Sequence, residues 1–437
     1  MEYGLVLSGG GAKGSFEIGV WKALREMDIK ISAVAGTSVG ALNGAIIAQN
    51  DFDFALEFWS NLSMDQVFAF NQKITDKYIS EWSRQDWNTF ATSFKDYVFD
   101  GGLDVTPLKN NLKKHIDEDR IRNSPIKLGL VTVSLSDLKP LELMIDDIPK
   151  GKLIDYLLAS AAFPAFKKHE IDGKTYIDGA VYDNFPIDLL ADRGYKNLIA
   201  VELPSPPGFK LRKKRDDLNI INITNSEYLG LILEFDPELM KKNIQMGYLD
   251  TLKKFEVVKG KNYYIDVTRD NESFLRFQQR LGFPIPGDDG MKLPLLLGRE
   301  QLLGKEEAYD EIKKLLGYTS FRNQDPCLSM LEITAKNLDI PRLKKYTTDE
   351  LTKEIFKAVN ALIDENLSLI KNHRNILNVF KESDEDISPM DSLRFLTYYM
   401  YFLSLNVNSK FPLGKLINRF TPEVNLSILT LLYLTNR

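Results

Sequence analysis

Two glycine-rich turns, each set between a short apolar run and a helical pattern, confine the first fifty residues to one kind of architecture. Residues 3–7 form an apolar run closed by Gly9-Gly10-Gly11, and residues 15–27 then carry Phe16, Val20, Ala23, Leu24 and Met27 at helical spacing. A second run, 31–35, is broken by Gly36, and residues 38–49, rich in Ala, Leu and Ile, read as a buried helix. Strand–helix–strand–helix with short joins predicts a parallel sheet covered by helices, an α/β fold. Strand candidates at 126–135, 141–145, 197–203, 218–223 and 262–267 continue the pattern.

A chain of 437 residues exceeds what one core supports, so more than one packing unit is expected. The α/β pattern extends to about residue 270. From about 298 the periodicity is helical, so 271–437 is expected to be a mainly helical region. One helix there opens with a capping box, Thr347 to Glu350, and carries Leu351, Ile355, Phe356, Val359, Leu362 and Ile363. The apolar stretches 395–407 and 426–434 fall short of the roughly 20 residues that span a bilayer. No basic, apolar leader opens the sequence, so a cytoplasmic location is expected, with peripheral membrane contact left open.

Composition removes several function classes. Lys and Arg total 56 against 61 Asp and Glu, a net charge of −5, which argues against a nucleic-acid partner. A single cysteine, Cys327, and three scattered histidines, His115, His169 and His373, supply neither a disulfide framework nor a histidine zinc site. Aromatic side chains crowd residues 55–99, among them Phe58, Trp59, Phe68, Phe70, Trp82, Trp87, Phe90, Phe94, Tyr97 and Phe99. Core helices are the favoured reading, and a lipid-facing cap the alternative. Lys210, Arg212, Lys213, Lys214 and Arg215 follow a Pro-rich stretch and read as a solvated loop, with contact to anionic head groups as the alternative.

Gly36-Thr37-Ser38-Val39-Gly40 stands at the second strand–helix boundary. Such a turn exposes the serine hydroxyl, and a helix N-terminus favours developing negative charge. The usual α/β-hydrolase places several strands before its serine and a histidine after it; here one strand precedes, and no acid–histidine spacing follows. Gly9-Gly10-Gly11-Ala12-Lys13-Gly14 offers backbone amides for an oxyanion. The same letters fit a dinucleotide loop, but no acid ends the second strand, and a phosphate-binding P-loop needs Ser or Thr where Gly14 stands. Two Ile-Asp-Gly triplets follow. Asp172-Gly173 reads as a hairpin turn, and Asp178-Gly179, taken alone, also reads as a turn.

Taken together, the glycine loop, the Gly-Thr-Ser-Val-Gly elbow, the Asp178-Gly179-Ala180 triplet and the segment Ala159-Ser160-Ala161-Ala162-Phe163-Pro164 resemble, in order and spacing, the signature motifs of the patatin-like phospholipases over about residues 3–205. The resemblance implies a three-layer α/β/α domain, here assigned to 1–270, that hydrolyses lipid acyl esters without cofactor or metal. It implies Ser38 as nucleophile, Asp178 as base, and Gly9, Gly10 and Gly11 as the oxyanion loop. Lys13 takes the family's basic position, and Gly14, Gly36, Gly40 and Gly179 support the motifs. A carboxylate is a weaker base than imidazole, so burial is expected to adjust the Asp178 pKa. A phospholipid or another acyl-ester lipid is the implied substrate, and a gated or regulated lipid-binding protein of the same fold is the alternative reading. The oligomeric state and the role of 271–437 are not implied.

Overall fold

The computed structural model describes residues 2–69, 102–204, 215–281, 303–365 and 422–435. The chain divides into two compact units, Met1–Lys254 and Phe255–Arg437. Phe70, Trp82, Trp87, Phe90, Phe94, Tyr97 and Phe99 of the aromatic segment, Lys210, Arg212, Lys213 and Lys214 of the basic loop, His373 and the stretch 395–407 lie outside the described residues. Trp59 and Phe68, from the described part of the aromatic segment, are buried.

The first unit is built on a mixed eight-stranded sheet. In chain order its strands are β1 (Glu2–Leu7), β2 (Lys30–Thr37), β3 (Lys127–Ser134), β4 (Lys139–Met144), β5 (His169–Ile171), β6 (Lys174–Asp178), β7 (Asn197–Glu202) and β8 (Asn219–Thr224). They lie in the order β5-β6-β3-β2-β1-β7-β8, with β4 paired to β3 off that path. The run from β3 through β2, β1 and β7 to β8 is parallel, whereas β4, β5 and β6 run antiparallel to their neighbours. Leu5, Val6 and Leu7 of the central strand are buried, as a strand covered by helices on both faces requires.

Helix α1 (Ser15–Glu26) buries the expected stripe of Phe16, Val20, Ala23 and Leu24. Every residue of α2 (Val39–Gln49) is buried, which suits a helix whose only polar side chains, Asn43 and Gln49, are hydrogen-bonded. Helices α3 (Phe52–Asn61), α4 (Thr106–His115), α5 (Leu153–Ser160) and α6 (Pro237–Lys254) belong to the same unit. The turn joining β5 to β6 has Asp172 and Gly173 both at positive φ, 49° and 79°, the two-residue hairpin geometry expected from the sequence.

The second unit differs from expectation in one respect. Its helices, α7 (Glu272–Arg280), α8 (Lys305–Gly317), α9 (Pro326–Asn337), α10 (Thr348–Glu365) and α11 (Pro422–Thr435), are joined by a two-stranded parallel ladder, β9 (Tyr264–Asp266) with β10 (Lys345–Thr347). Residues 262–267 therefore do not extend the main sheet, and the region beyond 298 is not purely helical. A three-residue strand is too short to show an alternating pattern. The capping box is present: Thr347 N–H donates to Glu350 Oε2 (2.8 Å), and Glu350 N–H donates to Thr347 Oγ1 (3.1 Å). Leu351, Ile355 and Val359 of α10 are buried in this unit's core beside Phe277 and Tyr346. Buried Glu332 accepts the backbone N–H groups of Lys261, Asn262 and Tyr263, which satisfy a carboxylate that would otherwise be costly to bury. No helix among the described residues is long and apolar enough to cross a membrane.

Candidate active site

Strand β2 ends at Thr37 and α2 starts at Val39, so Ser38 alone makes the turn. It adopts φ 56°, ψ −127°, a conformation that costs a residue with a side chain on the order of 1–3 kcal/mol. Four hydrogen bonds hold it there. Ser38 N–H donates to Ser160 Oγ (3.0 Å), and the Ser160 hydroxyl donates to the Val131 carbonyl (2.7 Å). Thr37 Oγ1 donates to the Asp183 carbonyl (2.8 Å), and Ala41 N–H donates to the Ser38 carbonyl (2.9 Å). The turn is tight enough to demand glycine on both flanks. A Cβ at Gly36 would fall 2.1 Å from the Gly40 oxygen, and one at Gly40 would fall 2.6 Å from the Leu7 oxygen.

Asp178 reaches Ser38 because of the register on β3. Val131 pairs with Thr37, the last residue of β2, and Thr132 pairs with Asp178, the last residue of β6. Glu142 and Leu141 of β4 pair with the same two residues, so β4 holds one edge of β3, while β2 and β6 share the other end to end. The elbow and the aspartate thus abut. Ser38 Oγ donates to Asp178 Oδ2 at 2.7 Å, and Ala180 N–H donates to Asp178 Oδ1 at 2.8 Å. Asp178 is only 2% exposed. Burial raises its pKa from 3.8 to about 6, against the opposing pull of the Ser38 and Ala180 hydrogen bonds. Gly179 lets the chain pass β3 closely, since a Cβ there would meet the Val131 oxygen at 2.2 Å.

The glycine loop lies against the elbow: a Cβ at Gly9 would fall 3.1 Å from Ser38 Cβ. Asn184 ties it down, accepting Gly9 N–H at its carbonyl (3.1 Å) and donating Nδ2 to the Gly9 carbonyl (3.2 Å). The Gly9 amide is therefore already engaged. Among the described residues the amides of Gly10 and Gly11 have no such acceptor. Lys13 Nζ donates to the Pro204 carbonyl (2.9 Å), and burial lowers its pKa. Gly14 closes the loop on α2, its carbonyl accepting Asn43 Nδ2 (3.0 Å).

Behind Asn43 sits a buried network. Its Nδ2 also donates to Glu17 Oε2 (2.8 Å), and its Oδ1 accepts Trp59 Nε1 (2.8 Å). Burial raises the Glu17 pKa well above the usual carboxylate range, against the opposing pull of the Asn43 hydrogen bond. Neither His115 nor His169 hydrogen-bonds Ser38 or Asp178. His169 Nε2 donates to the Asp155 carbonyl (2.8 Å), and His115 stacks on Phe54.

From Ser38, Asp178, Gly10 and Gly11 a cavity of about 190 Å³ extends between α2, α3 and α4. Its walls are apolar, with Leu42, Ile46, Trp59, Leu108 and Leu112 among the lining side chains. Ser160 stands within a sequence motif that assigns it no task, and neither the task of Asn184 nor the cavity is legible in the sequence. Of these, only Ser160 stood in a segment that already called for attention.

Comparison with known proteins places this geometry in context. Residues 5–191 match the family model described as patatin-like phospholipase. The patatin-like phospholipase domain-containing protein ZK370.4 of Caenorhabditis elegans is 26% identical over 308 residues, covering 68% of this chain and 20% of its own length. Neuropathy target esterase sws of Drosophila melanogaster is 26% identical over 290 residues, covering 63% of this chain and 18% of its own. The chain thus spans about a fifth of the length of these curated relatives. VipD from Legionella pneumophila aligns in structure at a TM-score of 0.39 and 15% identity, over 99% of this chain and 90% of that one.

Proposed function

Starting from a chain that carries a patatin-like phospholipase domain over residues 5–191, we propose that it is a lipid acyl hydrolase of the phospholipase A or lysophospholipase type, working through a Ser38–Asp178 dyad. The observation that supports this reading is the 2.7 Å hydrogen bond from the Ser38 hydroxyl to a buried carboxylate, at the mouth of an apolar cavity. Ser38 Oγ attacks the ester carbonyl as its proton passes to Asp178 Oδ2. The developing oxyanion is met by the amides of Gly10 and Gly11 and by the N-terminal end of α2. Protonated Asp178 then returns the proton to the departing alkoxide, leaving an acyl-serine. Water, deprotonated by the same carboxylate, cleaves it. An Asp178 pKa of about 6 leaves the carboxylate ionised at neutral pH yet a better proton acceptor than an ordinary aspartate.

A fluorophosphonate tests the nucleophile, because its tetrahedral phosphorus mimics the transition state. The adduct is expected on Ser38 and is expected to vanish in Ser38→Ala. Labelling that persists in that variant would assign the reaction to another serine.

A further inference from the structure

The apolar cavity has a length as well as a polarity. Along α2 its wall is made by Val39, Leu42, Asn43 and Ile46, one face of the helix, starting at the reactive serine. Ser38 to Ile46 is roughly 12 Å at the usual helical rise. The C-terminal end of α4 is pinned almost one turn beyond Ile46: Gln49 Nε2 donates to the His115 carbonyl (2.9 Å), and Asp117 N–H donates to Gln49 Oε1 (2.8 Å). There the His115 ring stacks on Phe54 from the start of α3, with centroids 4.2 Å apart and planes 14° from parallel. Both rings line the cavity.

We propose that this cavity is an acyl-chain ruler that takes one extended acyl chain, with the Phe54–His115 stack as its end stop. An extended chain of single bonds advances roughly 1.2 Å per bond, as an extended backbone does, so about ten carbons reach from the ester to the level of Ile46, where the lining along α2 ends. The inference rests on the hydrolase reading above and deepens it by naming the substrate class: medium-chain acyl esters. Each methylene moved from water into the cavity improves kcat/KM about fourfold, until the chain meets the stop. Longer chains must fold back against the stop, which slows them.

Internal competition tests this without regard to how much of a preparation is folded. The full-length chain is given an equimolar mixture of lysophosphatidylcholines of 8 to 18 acyl carbons, each as a dilute monomer below its critical micelle concentration, and the released acids are quantified by mass. The expected result is a peak near 10 carbons, with the 18-carbon acid released at least tenfold more slowly. Phe54→Ala and His115→Ala are each expected to raise the 16-to-10-carbon ratio about tenfold. Leu112→Phe, which fills the cavity short of the stack, is expected to move the peak to shorter chains. Even release from 10 to 18 carbons overturns the ruler alone. A peak that neither alanine variant moves overturns the assignment of the stop. Release of no acid at any length overturns the hydrolase reading and the ruler with it.

Discussion

Replacing Asp178 by Asn separates two consequences of burying a carboxylate that a simple loss-of-function experiment would merge. Asn keeps the shape and both hydrogen bonds, with Oδ1 accepting Ala180 N–H and Nδ2 facing Ser38 Oγ, but it removes the charge and the base. Turnover should fall on the order of 10⁴-fold, as when a member of a serine triad is removed. Stability should move the other way. The folded-state pKa of Asp178, about 6, lies above the ordinary 3.8, so the folded protein holds that proton more tightly than the unfolded chain does. The ionised form therefore destabilises the fold above about pH 6, by about 3 kcal/mol as an upper value for a gap of this size. This penalty fades as the pH falls from 6 towards 4. Asp178→Asn should accordingly unfold at higher denaturant than the parent at pH 8, with the advantage shrinking by pH 4.5. With Asp178 as the proposed base, the parent's kcat/KM should drop about tenfold per pH unit below 6, since only an ionised carboxylate can accept a proton. Urea unfolding at the two pH values and a pH–rate profile on a soluble ester check all three statements. A variant that is less stable at pH 8 while still active would refute both the burial argument and the role of the base.

Two further substitutions probe the support around the proposed dyad. Ser160→Ala frees Ser38 N–H and the Val131 carbonyl inside a buried turn. At about 1–3 kcal/mol for an unsatisfied buried group, the fluorophosphonate labelling rate should fall 10- to 100-fold more than the labelling of an unfolded-protein control can account for. An unchanged rate would make Ser160 dispensable to the elbow. His169→Gln should leave kcat within a few-fold of the parent, because that ring bonds the Asp155 carbonyl rather than Ser38 or Asp178. Loss of turnover in a folded His169→Gln protein would require a hidden triad.

What the sequence disclosed is what depends on near neighbours. The glycine loop, the elbow between β2 and α2, the Asp172-Gly173 hairpin and the Thr347–Glu350 capping box are each set within a handful of residues. Local chemistry decides them, and the structure has them where they were expected. The Ser160 bridge, the Asn184 clamp on Gly9 and the apolar cavity depend on segments tens to nearly two hundred residues apart. Which amides of the glycine loop are free could not be read either. Gly9, Gly10 and Gly11 are the same letter three times, and only the Asn184 carbonyl distinguishes the first from the others. The strand β10 was missed for the opposite reason: three residues are too few to carry a period.

The two Ile-Asp-Gly triplets show where local reasoning ends. Asp172 and Asp178 lie six residues apart, share both neighbours, and each reads as a turn. Asp172 is a turn: it sits at positive φ, and its exposed carboxylate meets Lys152 Nζ at 2.7 Å, a surface pair of little energetic weight. Asp178 lies one hairpin strand further on, where β6 runs alongside β3 until it meets the end of β2. Moving that register by one residue would turn the carboxylate to the opposite face of the sheet, because side chains alternate along a strand. The pKa of about 6, the bond to Ser38 and the proximity of the apolar cavity all follow from that register, and none follows from the triplet. The sheet pairing, rather than the motif, makes one aspartate a surface ion and the other a candidate base.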